Sequence, residues 1–141
     1  MAEKSSSVEL FSSIPLFRGL EEDELKAIVK LSKQMSFQKG DAIVREGEAG
    51  LGFYLIVEGQ AVVKRKGRTM ARLERGSFFG EMALLDDQPR SADVIAEEET
   101  KCLVVLRWNF WSLVSKNRNV ARGLFREMAR RLRATNEAIG E

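Results

Sequence analysis

The sequence predicts an α+β fold in which helices flank a central antiparallel β sandwich or barrel. Apolar residues recur at helical spacing near the N-terminus and again beyond Arg107. Between these segments, glycines separate short runs rich in β-branched and aromatic residues, which is typical of strands joined by tight turns. The length of 141 residues, with 44% hydrophobic and 31% charged residues, fits one globular domain. We therefore expect a flexible tail over residues 1–7 and a single domain over residues 8–141.

The N-terminal helical pattern begins at an acidic cluster. Residues 8–17 mix apolar side chains with a serine pair and a proline, which fits a short helix or turn. Residues 21–24 are all acidic, and negative charge is favourable at a helix start. From Leu25 onward the apolar residues follow a helical period. The pattern predicts an amphipathic helix that ends near Lys33.

Six strands are predicted in the middle of the chain. They cover residues 42–45, 52–57, 61–66, 69–73, 92–96 and 101–106, and most are short and rich in β-branched or aromatic residues. Glycines at positions 40, 47, 52, 59, 67 and 76 recur at short intervals between or beside the early strands. The segment around Gly80 interrupts the sheet.

Two helices are predicted at the C-terminal end, with a break at residues 117–119 and a last helix over about 119–136. The last helix has arginines at three- and four-residue steps opposite an apolar stripe; the arginines are Arg118, Arg122, Arg126, Arg130 and Arg133, and the stripe is Ala121, Phe125, Met128 and Leu132. We interpret this as a solvated basic face, with the stripe packed on the barrel or on a second copy. Direct nucleic-acid binding is not expected, because a basic stripe without a second reading element gives affinity but little specificity.

Composition argues against most enzyme classes. The chain has no histidine, the usual base of nucleophilic triads and the commonest ligand of catalytic zinc, so we expect no catalytic residue and no metal site. The single cysteine, Cys102, lies in an apolar run and reads as a buried small hydrophobe, with a reactive thiol as the alternative. No apolar run approaches the roughly 20 residues that cross a bilayer, and the polar start lacks a signal sequence. These features predict a cytoplasmic protein that does not contact a membrane.

The segment from Gly76 to Ala92 reads as a turn, a short helix and a second turn, and it carries the chemistry of an anion site. Gly80 allows close backbone approach, and the helix start after it would present N–H groups to an anion. Arg90 follows a proline and can return a planar, charged fork to that helix start. Ser91 can add a hydroxyl, and Glu81 requires a hydroxyl donor on the ligand, which a ribose supplies.

Each of these residues also has a purely structural explanation. Gly80 could make a tight turn, Glu81 could cap a helix start, and Arg90 could form a surface ion pair with Glu81. Taken singly, each residue favours the structural explanation.

The combined pattern resembles the cyclic nucleotide-binding domains of the catabolite activator, of cyclic-nucleotide-dependent kinase regulatory subunits and of ion channels. The phosphate-binding cassette of that family is matched by Phe79-Gly80-Glu81-Met82-Ala83-Leu84-Leu85 followed by Pro89-Arg90-Ser91-Ala92. The glycine-marked early strands are matched by Gly40-Asp41, by Glu46-Gly47-Glu48 and by residues 53–59. The resemblance covers roughly residues 17–136.

The resemblance implies an eight-stranded jelly-roll-like barrel with flanking helices, and it implies roles for residues. Glu81 would accept the ribose 2′-OH, Arg90 would bind the cyclic phosphate, and Gly80, Met82, Ala83 and Ser91 would line the site. The last helix would close over the base or form a dimer seam; its candidates for the base are Arg126, Met128, Leu132 and Arg133. The ligand would be cyclic AMP or cyclic GMP, without a cofactor, and Ser91 fits both bases.

The resulting hypothesis is a ligand-sensing module whose C-terminal helices relay occupancy to an effector. Cyclic AMP is favoured over cyclic GMP only as the commoner ligand. One alternative is a non-binding domain of the same fold that dimerises through its last helix. An enzyme acting on the nucleotide has little support, since the segment offers a glutamate, an arginine and a serine but no histidine.

Overall fold

The chain divides into two compact units, one built of strands and one of helices. The computed structural model describes residues 2–86 and 88–140. Residues 31–110 form the β unit, and the segments on either side of it form the helical unit. The expectation of a single domain over residues 8–141 stays a prediction.

The β unit contains two four-stranded antiparallel sheets. The strands are β1 Lys33–Phe37, β2 Ala42–Val44, β3 Gly52–Glu58, β4 Ala61–Arg65, β5 Arg68–Leu73, β6 Phe78–Phe79, β7 Asp93–Ala96 and β8 Thr100–Leu106. One sheet has the order β1-β8-β3-β6 and the other the order β2-β7-β4-β5. Most neighbours are distant in sequence, which is the jelly-roll-like arrangement that the resemblance implied. The predicted α+β class is confirmed.

One apolar core to which both sheets contribute stabilises the β unit. Its buried residues are Ile56, Cys102 and Val104 from the first sheet and Ile43, Ala61, Val94 and Ala96 from the second. Full burial of a large aliphatic side chain contributes about 1.5–3 kcal/mol, so the large members of this cluster stabilise the unit substantially. Cys102 is fully buried, as its apolar surroundings in the sequence predicted.

Two strands were missing from the sequence-based prediction. Four of the five residues of β1 are exposed, so the strand has no apolar alternation and is defined by its pairing with β8. Strand β6 has only two residues, which is too short for any periodicity. The expected helix end near Lys33 was wrong, because Lys33 already pairs with Val104 in β1.

The helical unit contains α1 Ala2–Ser12, a 3₁₀ turn Pro15–Phe17, α2 Glu22–Leu31, most of α3 Arg107–Lys116, and α4 Arg118–Ala138. The backbone is helical from Ala2, where the sequence predicted a tail, and Met1 lies outside the described residues. Asn117 separates α3 from α4 and accepts the backbone N–H groups of Asn119 and Val120, which explains the predicted break. None of the helices described here is long and apolar enough to cross a membrane.

Helix α4 buries a face beside the expected apolar stripe, and packing of the stripe on a second copy stays a prediction. Its buried residues are Val120, Gly123, Leu124 and Glu127. Gly123 lies against Gly19, where a Cβ atom on either residue would collide with the backbone or with Leu20. The expected apolar stripe instead leaves Phe125 75% exposed and Leu132 64% exposed. Close backbone packing at a glycine therefore chooses the buried face, and the largest side chains remain outside.

Candidate functional site

Gly80 starts the predicted short helix in a backbone conformation that favours glycine. Its φ is +82°, in the left-handed region, and a Cβ atom there would clash with Arg90 Nη1 and lie 2.9 Å from the Gly52 carbonyl oxygen. The helix that follows, Glu81–Leu84, is a 3₁₀ helix, so Ala83 N–H donates to the Gly80 carbonyl at 3.0 Å. This N–H is therefore already engaged within the turn, and the role of Ala83 in lining the site stays a prediction.

The backbone of Arg90 is fixed by the early glycine-marked loop. Arg90 N–H donates to the Glu48 carbonyl, and Gly47 N–H donates to the Arg90 carbonyl, both at 2.8 Å. Ala49 and Pro89 form an isolated antiparallel bridge beside this pair. The structure thus brings together the two motifs that were separate in the sequence.

The Arg90 side chain lies against β3. Nη2 donates to the Gly52 carbonyl oxygen at 2.5 Å, and the guanidinium carbon is 5.8 Å from the centre of the Tyr54 ring. Tyr54 in turn stacks on Phe79, with ring centres 5.0 Å apart and planes 3° from parallel. These contacts hold the guanidinium group in one place beside Gly80.

Arg90 is half-buried and has no acidic partner. No carboxylate in residues 2–86 or 88–140 forms an ion pair with it, and its buried Nε has no hydrogen-bond acceptor. Burial lowers the pKa of Arg90, and the neighbouring Tyr54 offsets part of that effect. An arginine keeps its proton even so. The site therefore presents a partly desolvated positive charge that no carboxylate in residues 2–86 or 88–140 neutralises through an ion pair.

The other cassette residues surround this guanidinium to different degrees. Glu81 is half-buried as the first residue of the 3₁₀ helix, and Ala83 is buried. Met82 is 44% exposed. Ser91 is exposed, and its carbonyl accepts a hydrogen bond from Arg65 Nε at 3.1 Å. Their roles toward a ligand stay predictions.

Three neighbours of Arg90 were not among the predicted site residues. Gly52 supplies the carbonyl acceptor, Tyr54 supplies the ring, and Gly50 leaves space, since a Cβ there would lie 2.6 Å from that of Ala83. The two glycines that flank Leu51 were the sequence signal that other atoms approach the backbone closely at this point. The role of Tyr54 had no signal in the sequence, because it depends on which strand the arginine reaches.

The four candidates for contact with the base lie on α4, in the helical unit. Met128 is half-buried, whereas Arg126, Leu132 and Arg133 are exposed. Arg126 also lines an open polar cavity of about 140 Å³, together with Gly19, Glu21, Glu24, Asn119, Arg122 and Gly123. Because this cavity carries both carboxylates and guanidinium groups, its charge does not favour an anion.

Relatives of the chain include sensor and kinase proteins. It is 35% identical to the cyclic AMP receptor protein of Thermus thermophilus over 84% of its own length and 57% of that protein. It is 41% identical to the cGMP-dependent protein kinase of Eimeria tenella over 70% of its own length and 10% of the kinase. The chain thus spans from a tenth to somewhat over half of these relatives.

Solved structures of regulatory proteins are also similar to this chain. The N-terminal domain of a transcriptional regulator from Streptomyces coelicolor is 28% identical and superposes with a TM-score of 0.84, with 94% of this chain and 98% of that one covered. The Thermus thermophilus catabolite activator protein is 34% identical, with a TM-score of 0.67 over 89% of this chain and 62% of that one. The family model described as "Cyclic nucleotide-binding domain" matches residues 34–117. The chain belongs to the family of cyclic nucleotide-binding domains, which are regulatory rather than catalytic.

Proposed function

We propose that this chain is a sensing module that binds a cyclic nucleotide, cyclic AMP in preference to cyclic GMP. In this proposal the C-terminal helices relay occupancy to a partner or to a domain outside this chain, and the module itself catalyses no reaction. The observation that carries the proposal is the half-buried Arg90, which is held beside Gly80 and forms no ion pair with any acidic residue that the structure describes.

An anionic phosphate is the group that would compensate Arg90. A partly buried charge is costly unless it is paired, and a cyclic phosphate carries one negative charge on two free oxygens. Arg90 Nη2 is occupied by the Gly52 carbonyl, but the buried Nε has no partner and can donate to such an oxygen. The Gly52 contact therefore orients the fork and leaves another edge of it for the ligand.

The remaining cassette residues would recognise the sugar and close the pocket. We propose that Glu81 accepts the ribose 2′-OH, since a carboxylate beside a phosphate is favourable only where it accepts a hydroxyl proton. Gly80, Met82, Ala83 and Ser91 would line the site. Gly80 suits this place because its Cα lies directly against the arginine.

The proposal of cyclic AMP as the ligand is supported by the extent of the match to one relative. The cyclic AMP receptor protein matches 84% of this chain, whereas the cGMP-dependent kinase matches 70% of it at higher identity. Ser91 fits either base. A competition titration between the two nucleotides tests this choice, and tighter binding of cyclic GMP would reverse it.

Relay requires that the ligand bind two arrangements of the helices with different affinity. We propose that α4 provides this difference through contact with the base by one or more of its candidates, which are Arg126, Met128, Leu132 and Arg133. Single alanine variants of the four, titrated with cyclic AMP, would identify the residue by its loss of affinity. If all four variants kept the wild-type affinity, α4 would have no role as a lid.

Calorimetry with cyclic AMP and cyclic GMP on the wild type and on Arg90→Ala tests the assignment of the site. Two charge-assisted hydrogen bonds contribute about 1.5–3 kcal/mol each, so we expect the variant to bind at least about 100-fold more weakly while it stays folded. Arg72→Ala is the matched control, because Arg72 already pairs with Glu97 at 2.5 Å. Equal affinity of wild type and Arg90→Ala would overturn the proposal.

The second candidate function is a domain that binds no nucleotide and dimerises through α4. It is favoured by three large apolar side chains at seven-residue steps, Phe125, Leu132 and Ile139, which are 75%, 64% and 65% exposed. Such a heptad spacing is typical of a coiled-coil seam. A thermal-shift assay separates the two functions, since only a binding module gains stability from a nucleotide. Analytical ultracentrifugation of wild type and Leu132→Glu tests the dimer, which is also compatible with sensing.

A further inference from the structure

The hairpin formed by β4 and β5 carries a dense positive charge at its tip. Residues 64–68 read Lys-Arg-Lys-Gly-Arg, which is four cations in five residues. Arg65 and Arg68 are direct register partners and are joined by the two residues Lys66 and Gly67. Residues opposite each other in an antiparallel pair have Cβ atoms about 5 Å apart. The two guanidinium side chains therefore start from neighbouring points on the same face of the hairpin.

Two local rules of stability are broken at this tip. Lys66 has φ +51° and Gly67 has φ +77°, as a two-residue hairpin turn requires, but asparagine or glycine suits the first position better than lysine does. In addition, like charges placed directly opposite each other in a ladder are destabilising. Local stability explains neither choice, and such departures concentrate at functional sites.

Neighbouring residues do not neutralise the tip. Two other cations of the β unit have acidic partners: Arg72 pairs with Glu97 at 2.5 Å, and Lys101 pairs with Glu58 at 3.3 Å. By contrast, the four tip cations form no ion pair within the described part of the chain. Asp93 faces Lys64 in the register, but its Oδ1 accepts the backbone N–H of Glu46 at 2.7 Å.

One of the two arginines is already oriented. Arg65 Nε donates to the Ser91 carbonyl at 3.1 Å, which restricts the side chain and leaves its terminal Nη groups without a protein partner among the described contacts. The tight turn at Lys66 and Gly67 restricts the backbone in the same way. An anion that bound here would therefore cost less ordering entropy than at a flexible basic loop.

We propose that this tip, residues 64–68, is a second anion site that takes a compact phosphate group with two or more negative charges. A phosphate of this kind offers several oxygens to two guanidinium forks at once, whereas one carboxylate neutralises only one of them. A free polyphosphate and the phosphorylated headgroup of a lipid share this chemistry. The site does not involve Arg90 and does not rest on the proposed cyclic nucleotide function.

Titration with pyrophosphate tests the site in the full chain with Arg90→Gln, so that the cassette does not contribute. We expect saturable binding in calorimetry at low ionic strength and shifts of the Arg65 and Arg68 Nε–H signals in NMR spectra. The double variant R65Q/R68Q should bind at least about tenfold more weakly, because it loses both charge-assisted forks. It should stay folded, because removal of two opposed like charges offsets the loss of the Arg65 hydrogen bond to the Ser91 carbonyl.

The matched control is Arg72→Gln in the same background. Arg72 lies on β5, and its charge is already paired, so its loss should change pyrophosphate affinity by less than about twofold. Absence of saturable binding would overturn the proposal. An equal loss of pyrophosphate affinity in Arg72→Gln and in R65Q/R68Q would also overturn the proposal, because binding would then depend on net charge and not on a specific site.

Two further arms identify the source and the chemistry of the anion. Sedimentation with phosphatidylcholine vesicles that contain a phosphorylated inositol lipid is compared with vesicles of phosphatidylcholine alone. Tighter binding to the phosphorylated vesicles than to pyrophosphate, lost in R65Q/R68Q, assigns a lipid headgroup, and the reverse order assigns a free phosphate. A hexaglutamate peptide that bound as tightly as pyrophosphate would overturn the phosphate chemistry.

Discussion

Arg90 in the β unit and Glu127 in the helical unit are both charged side chains removed from water, but their surroundings differ. Glu127 is 2% exposed and accepts hydrogen bonds from Arg130 Nε at 2.9 Å, Arg130 Nη2 at 2.6 Å and Arg131 Nε at 3.1 Å. The Arg130 and Arg131 guanidinium groups hold the pKa of Glu127 below its usual value despite its burial. Arg90 contacts a carbonyl and a ring, and it forms no ion pair with a carboxylate in the part of the chain that the structure describes. Burial lowers its pKa.

The difference distinguishes a charge that the fold compensates from one that we propose a ligand compensates. Glu127 is compensated by residues three and four positions further along the same helix, so it needs nothing else. Arg90 is fixed in position by several contacts, yet none of them carries the opposite charge. Removal of Glu127 should therefore affect folding, whereas disturbance of Arg90 should affect ligand binding.

Gly80→Ala should displace the Arg90 guanidinium group while leaving its charge in place, and among substitutions that keep this charge it has the largest expected effect on ligand binding. The new methyl group would clash with Arg90 Nη1 and would occupy a left-handed conformation, which costs a non-glycine residue about 1–2 kcal/mol. We expect cyclic AMP affinity to fall at least tenfold in calorimetry, which corresponds to about 1.4 kcal/mol. Gly40→Ala is the control, since Gly40 has φ +91° but open space around it. An equal loss of affinity in both variants would show that clash with the arginine is not the cause.

Glu127→Gln should lower the stability of the fold, in contrast to Gly80→Ala, whose expected effect is on ligand affinity. The substitution keeps the shape of the side chain but removes the charge that accepts three guanidinium hydrogen bonds, so we expect a loss of about 1–3 kcal/mol in the free energy of unfolding. Urea denaturation of the ligand-free protein measures it. The control is Glu137→Gln, an exposed position on the same helix, which should change stability by less than about 0.5 kcal/mol. Similar stability of the two variants would contradict the structural role that we assign to Glu127.

The candidate role of Arg90 rests on local sequence, whereas the environment of Glu127 does not. Gly80, Glu81 and Arg90 lie within one segment, and their combined pattern predicts an anion site, which stays a prediction. The environment of Glu127 depends on which face of α4 is buried, and an apolar stripe does not show whether it packs within the chain or on a second copy. Contact with Gly19 at Gly123, which no periodicity reveals, decides the outcome.

The fold shows the same division between local and non-local information. Strands bounded by glycines and rich in β-branched residues were found from the sequence. The exposed strand β1 was not found, because only its pairing with β8 defines it. Likewise, the contacts of Gly52 and Tyr54 with Arg90 depend on the position of β3 beside Arg90 in the fold, which the local sequence does not reveal.

Acidification should erase the difference between wild type and Glu127→Gln. The pKa of Glu127 is lowered on folding from its ordinary value of 4.5, so the charged group stabilises the fold above that pH, and the stabilisation is lost as the pH falls through the folded value. We expect the gap in unfolding free energy to be full at neutral pH and to narrow once the pH drops below about 4.5. A gap of constant size across this range would mean that the charge of Glu127 does not contribute.

Cys102 extends the comparison to a buried group that carries no charge, and its predicted effect is the smallest. Burial raises the pKa of this thiol to about 12 from an ordinary value of 9.0, so the thiolate is scarce near neutral pH. Titration of this thiol therefore does not change the stability of the fold until the pH exceeds about 9. Above that pH, the fold should become less stable as the pH approaches 12. Because Cys102 is the only cysteine, labelling by a thiol-reactive disulfide reagent at pH 8 reports on it alone. We expect labelling in the native protein to be at least tenfold slower than in urea, and equal rates would place the thiol at a reactive surface instead of in the core.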